Sequence, residues 1–255
     1  MDTWARSPPL REAVRAKRWC YPAASVPRRT CDGSVTKPYP RPVTLLLLVR
    51  HAVTDITGKR LYGRSQGISL SEAGREQAAE LARRLAEVPL DALYSSPLDR
   101  CLETANPIGE ACGVKVTPLE GVLEIDYGSW TGRPFTSLRR LRLWREFHGA
   151  NPSAPRFPGG ETLLEAQRRA VEAVGELAER HPKATVAVVT HGDVVALVLA
   201  HYAGIHVDLF QRLEVSPASV TAIALGAGAP RIRRVNDTGT LRDLVQRRRA
   251  RPVRG

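Results

Sequence analysis

The chain has 255 residues, of which 43% are hydrophobic, and carries a net charge of +12. That length supports one sizeable core in one or two domains. No solenoid-type repeat is visible, and no apolar run approaches the roughly 18–20 residues of a membrane span.

The charge is concentrated at the ends. Residues 1–42 hold nine Lys/Arg against three acids and residues 241–255 hold six arginines against one, leaving +1 for residues 43–240. The high isoelectric point therefore describes the tails, and a nucleic-acid or acidic-surface partner working through them is the expectation of a different class; no nucleic-acid fold motif supports it. Residues 1–42 are Pro/Arg-rich, without apolar periodicity or a signal-type apolar stretch, and read as a disordered leader or as translated sequence ahead of the natural start. Residues 241–255 read as a disordered tail. Cys20, Cys31, Cys101 and Cys112 show no C-x-x-C pairing, which points away from disulfides and metal and toward a reducing, cytoplasmic setting.

From Val43 onward, short aliphatic runs alternate with amphipathic stretches, the pattern of an α/β fold. Strands are expected over 43–49, 91–94, 114–117, 184–190, 219–225 and 231–235. A helix opens at Ser71 and runs to about Glu87, with Ala78, Leu81, Ala82 and Leu85 at helical spacing. A second opens at Ser96-Pro97-Leu98-Asp99, with Ser96 as N-cap and Pro97 at the first helical position. A short helix is expected over Thr136–His148. Another helix has Thr162 and Glu165 as a capping box and continues to about Arg180, and a last one covers Val194–Ala203.

Two of these strands end alike. Leu45–Val49 runs into Arg50-His51, and Thr185–Thr190 into His191-Gly192. Ligands of open α/β sheets bind outside the carboxyl ends of the strands, so His51 and His191 share one expected site; His148, His181, His201 and His206 have no such context and read as surface or satisfied side chains. Arginine suits phosphate because its planar guanidinium donates in a bidentate way. Arg50 precedes His51, Arg100 falls in the first turn after the strand ending near Tyr94, and Arg64 lies in the Tyr62–Ser65 loop. Free N–H groups at the helix start near Gly192 add partial positive charge. Together they describe an anion pocket.

Leaving-group departure from phosphate needs a proton donor, for which Glu124 is the candidate and Asp126 the reserve, since burial can raise a carboxyl pKa enough. His51, His191 and Glu124 would also suit zinc in composition, but the surrounding arginines would repel a dication, so no metal is expected.

Arg50-His51-Ala52, Gly63-Arg64, Leu70–Ala78, Ser95–Ala105, Leu123–Gly128, Pro158-Gly159-Gly160-Glu161 and Val189–Gly192 together resemble the ordered motifs of the histidine phosphatase superfamily, also called phosphoglycerate mutase-like. The resemblance covers about Val43 to Asp237. It implies a three-layer α/β/α sandwich with a mostly parallel sheet, and a phosphomonoesterase of the histidine acid phosphatase type acting on a small phosphomonoester. His51 would be the transiently phosphorylated nucleophile, Arg50, Arg100 and His191 the phosphoryl clamp, and Glu124 the acid and then the base. No cofactor is implied. Ala52 stands where the family often has Gly, and Thr131 replaces the glutamate of a Trp-Glu-Gly motif. Thr57 occupies the position of a phosphate-contacting asparagine, and with Arg64 and Gly192 completes the expected substrate-binding set. Only about three dozen residues separate Glu124 from the Pro-Gly-Gly-Glu segment, without the long basic insertion of phosphoglycerate mutases, which favours a phosphatase over a phosphomutase. Gly132–Pro158 is expected to form a lid, with Tyr127, Trp130, Trp144 and Phe147 as walls.

Overall fold

The computed structural model describes residues 43–239 apart from 150 and 227; the readings made for the leader, the basic tail, Cys20 and Cys31 lie outside the described residues. The strands of the main sheet are β1 (Val43–Arg50), β3 (Ala92–Ser95), β4 (Val116–Pro118), β6 (Thr185–Thr190), β7 (Val220–Gly226) and β8 (Arg231–Asp237). A separate two-residue pairing joins β2 (Arg60–Leu61) to β5 (Arg133–Pro134), which nothing in the local sequence announces. The sheet order is β4-β3-β6-β1-β7-β8. β4, β3, β6 and β1 run parallel, whereas β7 is antiparallel to both β1 and β8.

The aliphatic runs are continuous because the sheet is covered on both faces. In β1, Leu46 and Leu48 join the core formed with α5 (Leu163–Arg180) and α6 (Gly192–Ala203), while Leu47 and Val49 join the core formed with α1 (Glu72–Leu85) and α2 (Asp99–Cys112). β6 divides the same way, Val186 and Val188 to one side, Ala187 and Val189 to the other. This is the expected three-layer sandwich. Each fully buried Leu or Val contributes roughly 1.5–3 kcal/mol by transfer from water.

The local signals were largely obeyed. Ser71 Oγ accepts from the Gly74 amide, and Thr162 and Glu165 form the complete capping box. Two expectations are corrected. The helix after β3 begins at Asp99, with Leu98 rather than Ser96 at its N-cap and no side-chain cap. Ser96 instead still follows the sheet, its amide donating to the Val189 carbonyl at 2.9 Å. The single helix expected over 136–148 is two short ones, α3 (Phe135–Leu138) and α4 (Arg142–Phe147). Leu138, Trp144 and Phe147 are all buried. Trp144 and Phe147 share a helical face, but Leu138 and Trp144 are six positions apart, well out of phase at 3.6 residues per turn, so one straight helix could not bury all three on one side.

Candidate active site

Sheet register builds the centre of the site. Arg50 pairs with Thr190 in the parallel β1/β6 ladder, and the His51 amide donates to the Thr190 carbonyl at 2.8 Å. The next residues, His51 and His191, are therefore neighbours, with ring centroids 5.4 Å apart. Both are buried.

His51 Nδ1 lies 2.7 Å from the Ala52 carbonyl. A carbonyl can only accept, so Nδ1 carries the proton and Nε2 keeps its lone pair. Burial, then the charges of Arg100 and Arg50, lower the His51 pKa to about 3, which keeps the ring neutral. His191 is lowered well below its usual value by burial, Arg100, His51, Arg169 and Arg50. Its Nε2 is 2.9 Å from Ser96 Oγ, while Nδ1 faces Arg100 Nη2 at 3.3 Å and Glu124 Oε2 at 3.8 Å. A guanidinium only donates, so Nδ1 is the acceptor and the Glu124 approach is not an ion pair of charged groups.

Arg50 and Arg100 are each held by backbone carbonyls. Arg50 Nη1 donates to Val215 at 2.5 Å, and Arg100 Nη2 donates to Gly63 at 2.6 Å. Arg100 also lies over the Tyr62 ring, 4.6 Å from its centroid. The Nε of both arginines is buried without a hydrogen-bond partner, two of three such side-chain atoms among the described residues. Buried unsatisfied donors are costly, and two on guanidiniums beside a histidine pair suit an anion. Gly192, first residue of α6, allows this packing, since a Cβ there would lie 3.0 Å from Arg50 Nε.

Glu124 is buried, and its pKa is raised to about 7 by burial first and Asp193 second, against opposing effects of the Ile125 amide and of Arg100 and Arg50. Its Oε1 accepts from that amide at 2.9 Å. A cavity of about 580 Å³ opens over this floor. Arg50, His51, Glu124 and Gly192 are among its lining residues, as are Phe135, Trp144, Phe147 and His148 from the α3/α4 segment, whereas the fully buried Arg100 and His191 lie behind this lining.

The remaining assignments divide. Thr57 lines the cavity, but its Oγ1 accepts from the Thr54 amide at 2.9 Å and lies 3.0 Å from Thr54 Oγ1. Arg64 is not among the lining residues: its Nε donates to the Glu124 carbonyl at 2.8 Å and its Nη2 to Glu161 at 3.0 Å. The structure thus gives it to the loop behind Glu124 rather than to the cavity. Asp126, the reserve acid, accepts from the Gly128 amide and is likewise not among the lining residues. Tyr127 and Phe147 are walls as expected, whereas Trp130 packs against Trp144 and Phe157 in the core. His148, read as an ordinary surface or satisfied side chain, lines the cavity and packs on Trp144, with centroids 4.1 Å apart. Sequence reasoning missed Tyr62, Ser96, Arg169 and Asp193, the last of which accepts a hydrogen bond from Tyr127. For Asp193, adjacency to His191-Gly192 was an available signal; the others depend on long-range contacts. No group of three or more His, Cys, Asp or Glu among the described residues could hold a metal ion, and no described helix is long and apolar enough to cross a membrane.

Fold and site together define a three-layer α/β protein with two histidines, two buried arginines and a buried glutamate gathered at the carboxyl edge of its sheet. The chain belongs to the histidine phosphatase superfamily (branch 1), whose family profile matches residues 46–238. It is 33% identical over 186 residues to phosphoserine phosphatase 1 of Hydrogenobacter thermophilus, covering 70% of this chain and 85% of that protein. It is 30% identical over 205 residues to a bifunctional protein of Mycobacterium tuberculosis, covering 78% of this chain but only 55% of the relative's length. Among solved structures, a mycobacterial glucosyl-3-phosphoglycerate phosphatase superimposes with a TM-score of 0.69 at 26% identity, over 76% of this chain and 99% of that one. Bacillus stearothermophilus YhfR gives 0.69 at 31% identity, over 76% and 97%.

Proposed function

We propose that the protein is a phosphomonoesterase that hydrolyses a small phosphorylated metabolite through a phosphohistidine on Nε2 of His51. The observation that carries this reading is the fixed His51 tautomer, Nδ1–H on the Ala52 carbonyl, beside two buried arginine Nε–H groups without partners.

Nε2 attacks phosphorus as the P–O bond to the leaving group breaks. Charge on the phosphoryl oxygens is met by Arg50 and Arg100, preorganised donors in a site of low dielectric, with His191 held beside them between Ser96 and Arg100. Glu124, neutral up to about pH 7, gives its proton to the departing oxygen. The resulting carboxylate then takes a proton from water as that water attacks the phosphohistidine, which restores His51 and Glu124 and releases phosphate.

Relatives named for phosphoserine and glucosyl-3-phosphoglycerate support small phosphorylated metabolites as the substrates to test first. The short segment between Glu124 and Glu161 supports hydrolysis over mutase chemistry. The test is phosphate release from phosphoserine, 3-phosphoglycerate, glucosyl-3-phosphoglycerate and 4-nitrophenyl phosphate, with His51→Ala alongside. Hydrolysis by the wild type and its loss in the variant are expected. Isomerisation of 3-phosphoglycerate with 2,3-bisphosphoglycerate, outpacing hydrolysis, would replace this reading with a mutase.

A further inference from the structure

Glu124 sits in a stretch with no regular secondary structure, between the 3₁₀ turns Glu120–Val122 and Gly128–Trp130. A sheet or helix ladder would normally fix such a backbone; here side chains from three distant segments do so. Arg169 on α5 donates through Nη1 to the Gly121 and Leu123 carbonyls, both at 2.9 Å, and through Nη2 to the Glu124 carbonyl at 3.4 Å. Arg64 donates to that Glu124 carbonyl at 2.8 Å. Glu161, from the Pro-Gly-Gly-Glu turn, joins them: its Oε1 accepts from Arg64 at 3.0 Å, from Arg169 at 2.8 Å and from the Asp126 amide at 2.9 Å. The Glu161 amide donates back to the Asp126 carbonyl at 3.0 Å. The stretch is thus gripped on both sides of Glu124, and its carboxyl is then set by the Ile125 amide.

We propose that Arg64, Glu161 and Arg169 are positioning residues for proton transfer by Glu124, an inference that rests on the reading of Glu124 as the general acid. The chemistry explains why such a grip would matter. A proton donor must come within hydrogen-bond reach of the leaving oxygen, and misplacement by about 1 Å can cost on the order of 100-fold in rate. Arg64 and Arg169 reach Glu124 at its backbone carbonyl. Both contacts fall on the backbone carbonyl and not on the carboxyl, whose Oε1 is held by the Ile125 amide. Their effect is therefore on where the acid stands. This accounts for Arg64 lying outside the cavity lining although it adjoins Gly63, which does line it.

The alternative is that the three groups are ion pairs serving stability alone, and leaving-group dependence separates the two. 4-Nitrophenol departs as a stable anion and needs little proton donation, whereas an alkyl alcohol needs it fully. Because kcat/KM covers all steps through leaving-group departure, it would be measured for 4-nitrophenyl phosphate and 2-phenylethyl phosphate with Glu161→Gln, Arg169→Lys, Arg64→Met and, as reference, Glu124→Gln. The reference should lose about 100-fold or more on the alkyl ester and less than about threefold on the aryl ester. The three positioning variants should show the same selectivity, with an alkyl-ester loss of about tenfold or more. Far-UV circular dichroism and urea titration report the folded fraction of each variant independently of activity, and Arg64→Met, at the most exposed of the three positions, carries the test if a deeper variant does not fold. Equal losses on both esters, or none on either, in variants that fold would overturn the inference. Failure of Glu124→Gln to discriminate would instead overturn the reading of Glu124 as the acid.

Discussion

With Glu124 as the general acid proposed above, its raised pKa would set the pH dependence of hydrolysis. Displacement of this carboxyl from 4.5 to about 7 opposes its ionisation by about 3 kcal/mol, at roughly 1.4 kcal/mol per tenfold change. Because kcat/KM reports ionisations of the free enzyme, an ester that needs its leaving group protonated should react at full rate below about pH 6. It should fall about tenfold per pH unit above 7. Neutralisation of His51 limits the acid side only near pH 3. The substrate's own second ionisation, near pH 6, is common to alkyl and aryl esters, so the ratio of 2-phenylethyl to 4-nitrophenyl phosphate kcat/KM isolates Glu124. Asp193 supplies the second-largest upward effect. Asp193→Asn removes a negative neighbour, makes ionisation of Glu124 easier, and should move the break in the ratio to lower pH. A ratio independent of pH, or a break that stays put or rises in Asp193→Asn, would refute the reasoning.

Burial of two neutral histidines predicts acid sensitivity of the fold. Both are depressed below 6.5 in the folded chain, to about 3 for His51, whereas the unfolded chain binds protons from about pH 6.5 downward. Stability is thus fully present above that value and is lost as pH falls toward the folded pKa values, by up to about 1.4 kcal/mol per pH unit for each histidine. Glu124, whose folded pKa is raised to about 7, stabilises the fold as pH falls through the same window and offsets about one histidine. Urea titrations at pH 6.5 and 5.5 should therefore show the net loss of about one histidine's slope, and His51→Asn should nearly abolish it. Gly192→Ala places a Cβ 3.0 Å from Arg50 Nε and should lower kcat/KM about tenfold by displacing the guanidinium; unchanged kinetics would mean that Arg50 does not contact the phosphoryl group. Thr162→Ala removes one half of the α5 capping box and should cost about 1 kcal/mol by urea titration without changing which ester is preferred.

The layered fold was legible because unbroken aliphatic runs at β1 and β6 signal strands covered on both faces. The central pair of the candidate site was legible because His51 and His191 follow directly at the ends of those strands. What was not legible depended on partners far away in the chain. Ser96 carries an N-cap's residue type, but its hydroxyl faces His191. Arg64 has the residue type of a phosphate ligand, yet its guanidinium is bound by Glu161 and the Glu124 carbonyl. Arg169 belongs to an ordinary amphipathic helix pattern, and nothing local shows that three carbonyls of the Gly121–Glu124 stretch converge on it. The break between α3 and α4 was visible in principle, as the phase mismatch between Leu138 and Trp144.

The covalent intermediate is the most direct test of the account. Brief incubation with a ³²P-labelled phosphomonoester that the protein hydrolyses, followed by alkaline quench and peptide mapping, should place an acid-labile, alkali-stable label on His51. The label should be more abundant in Glu124→Gln, where the base for hydrolysis of the intermediate is lost, and absent from His51→Asn. Turnover by His51→Asn at the wild-type rate, or a label on another residue, would contradict the central claim.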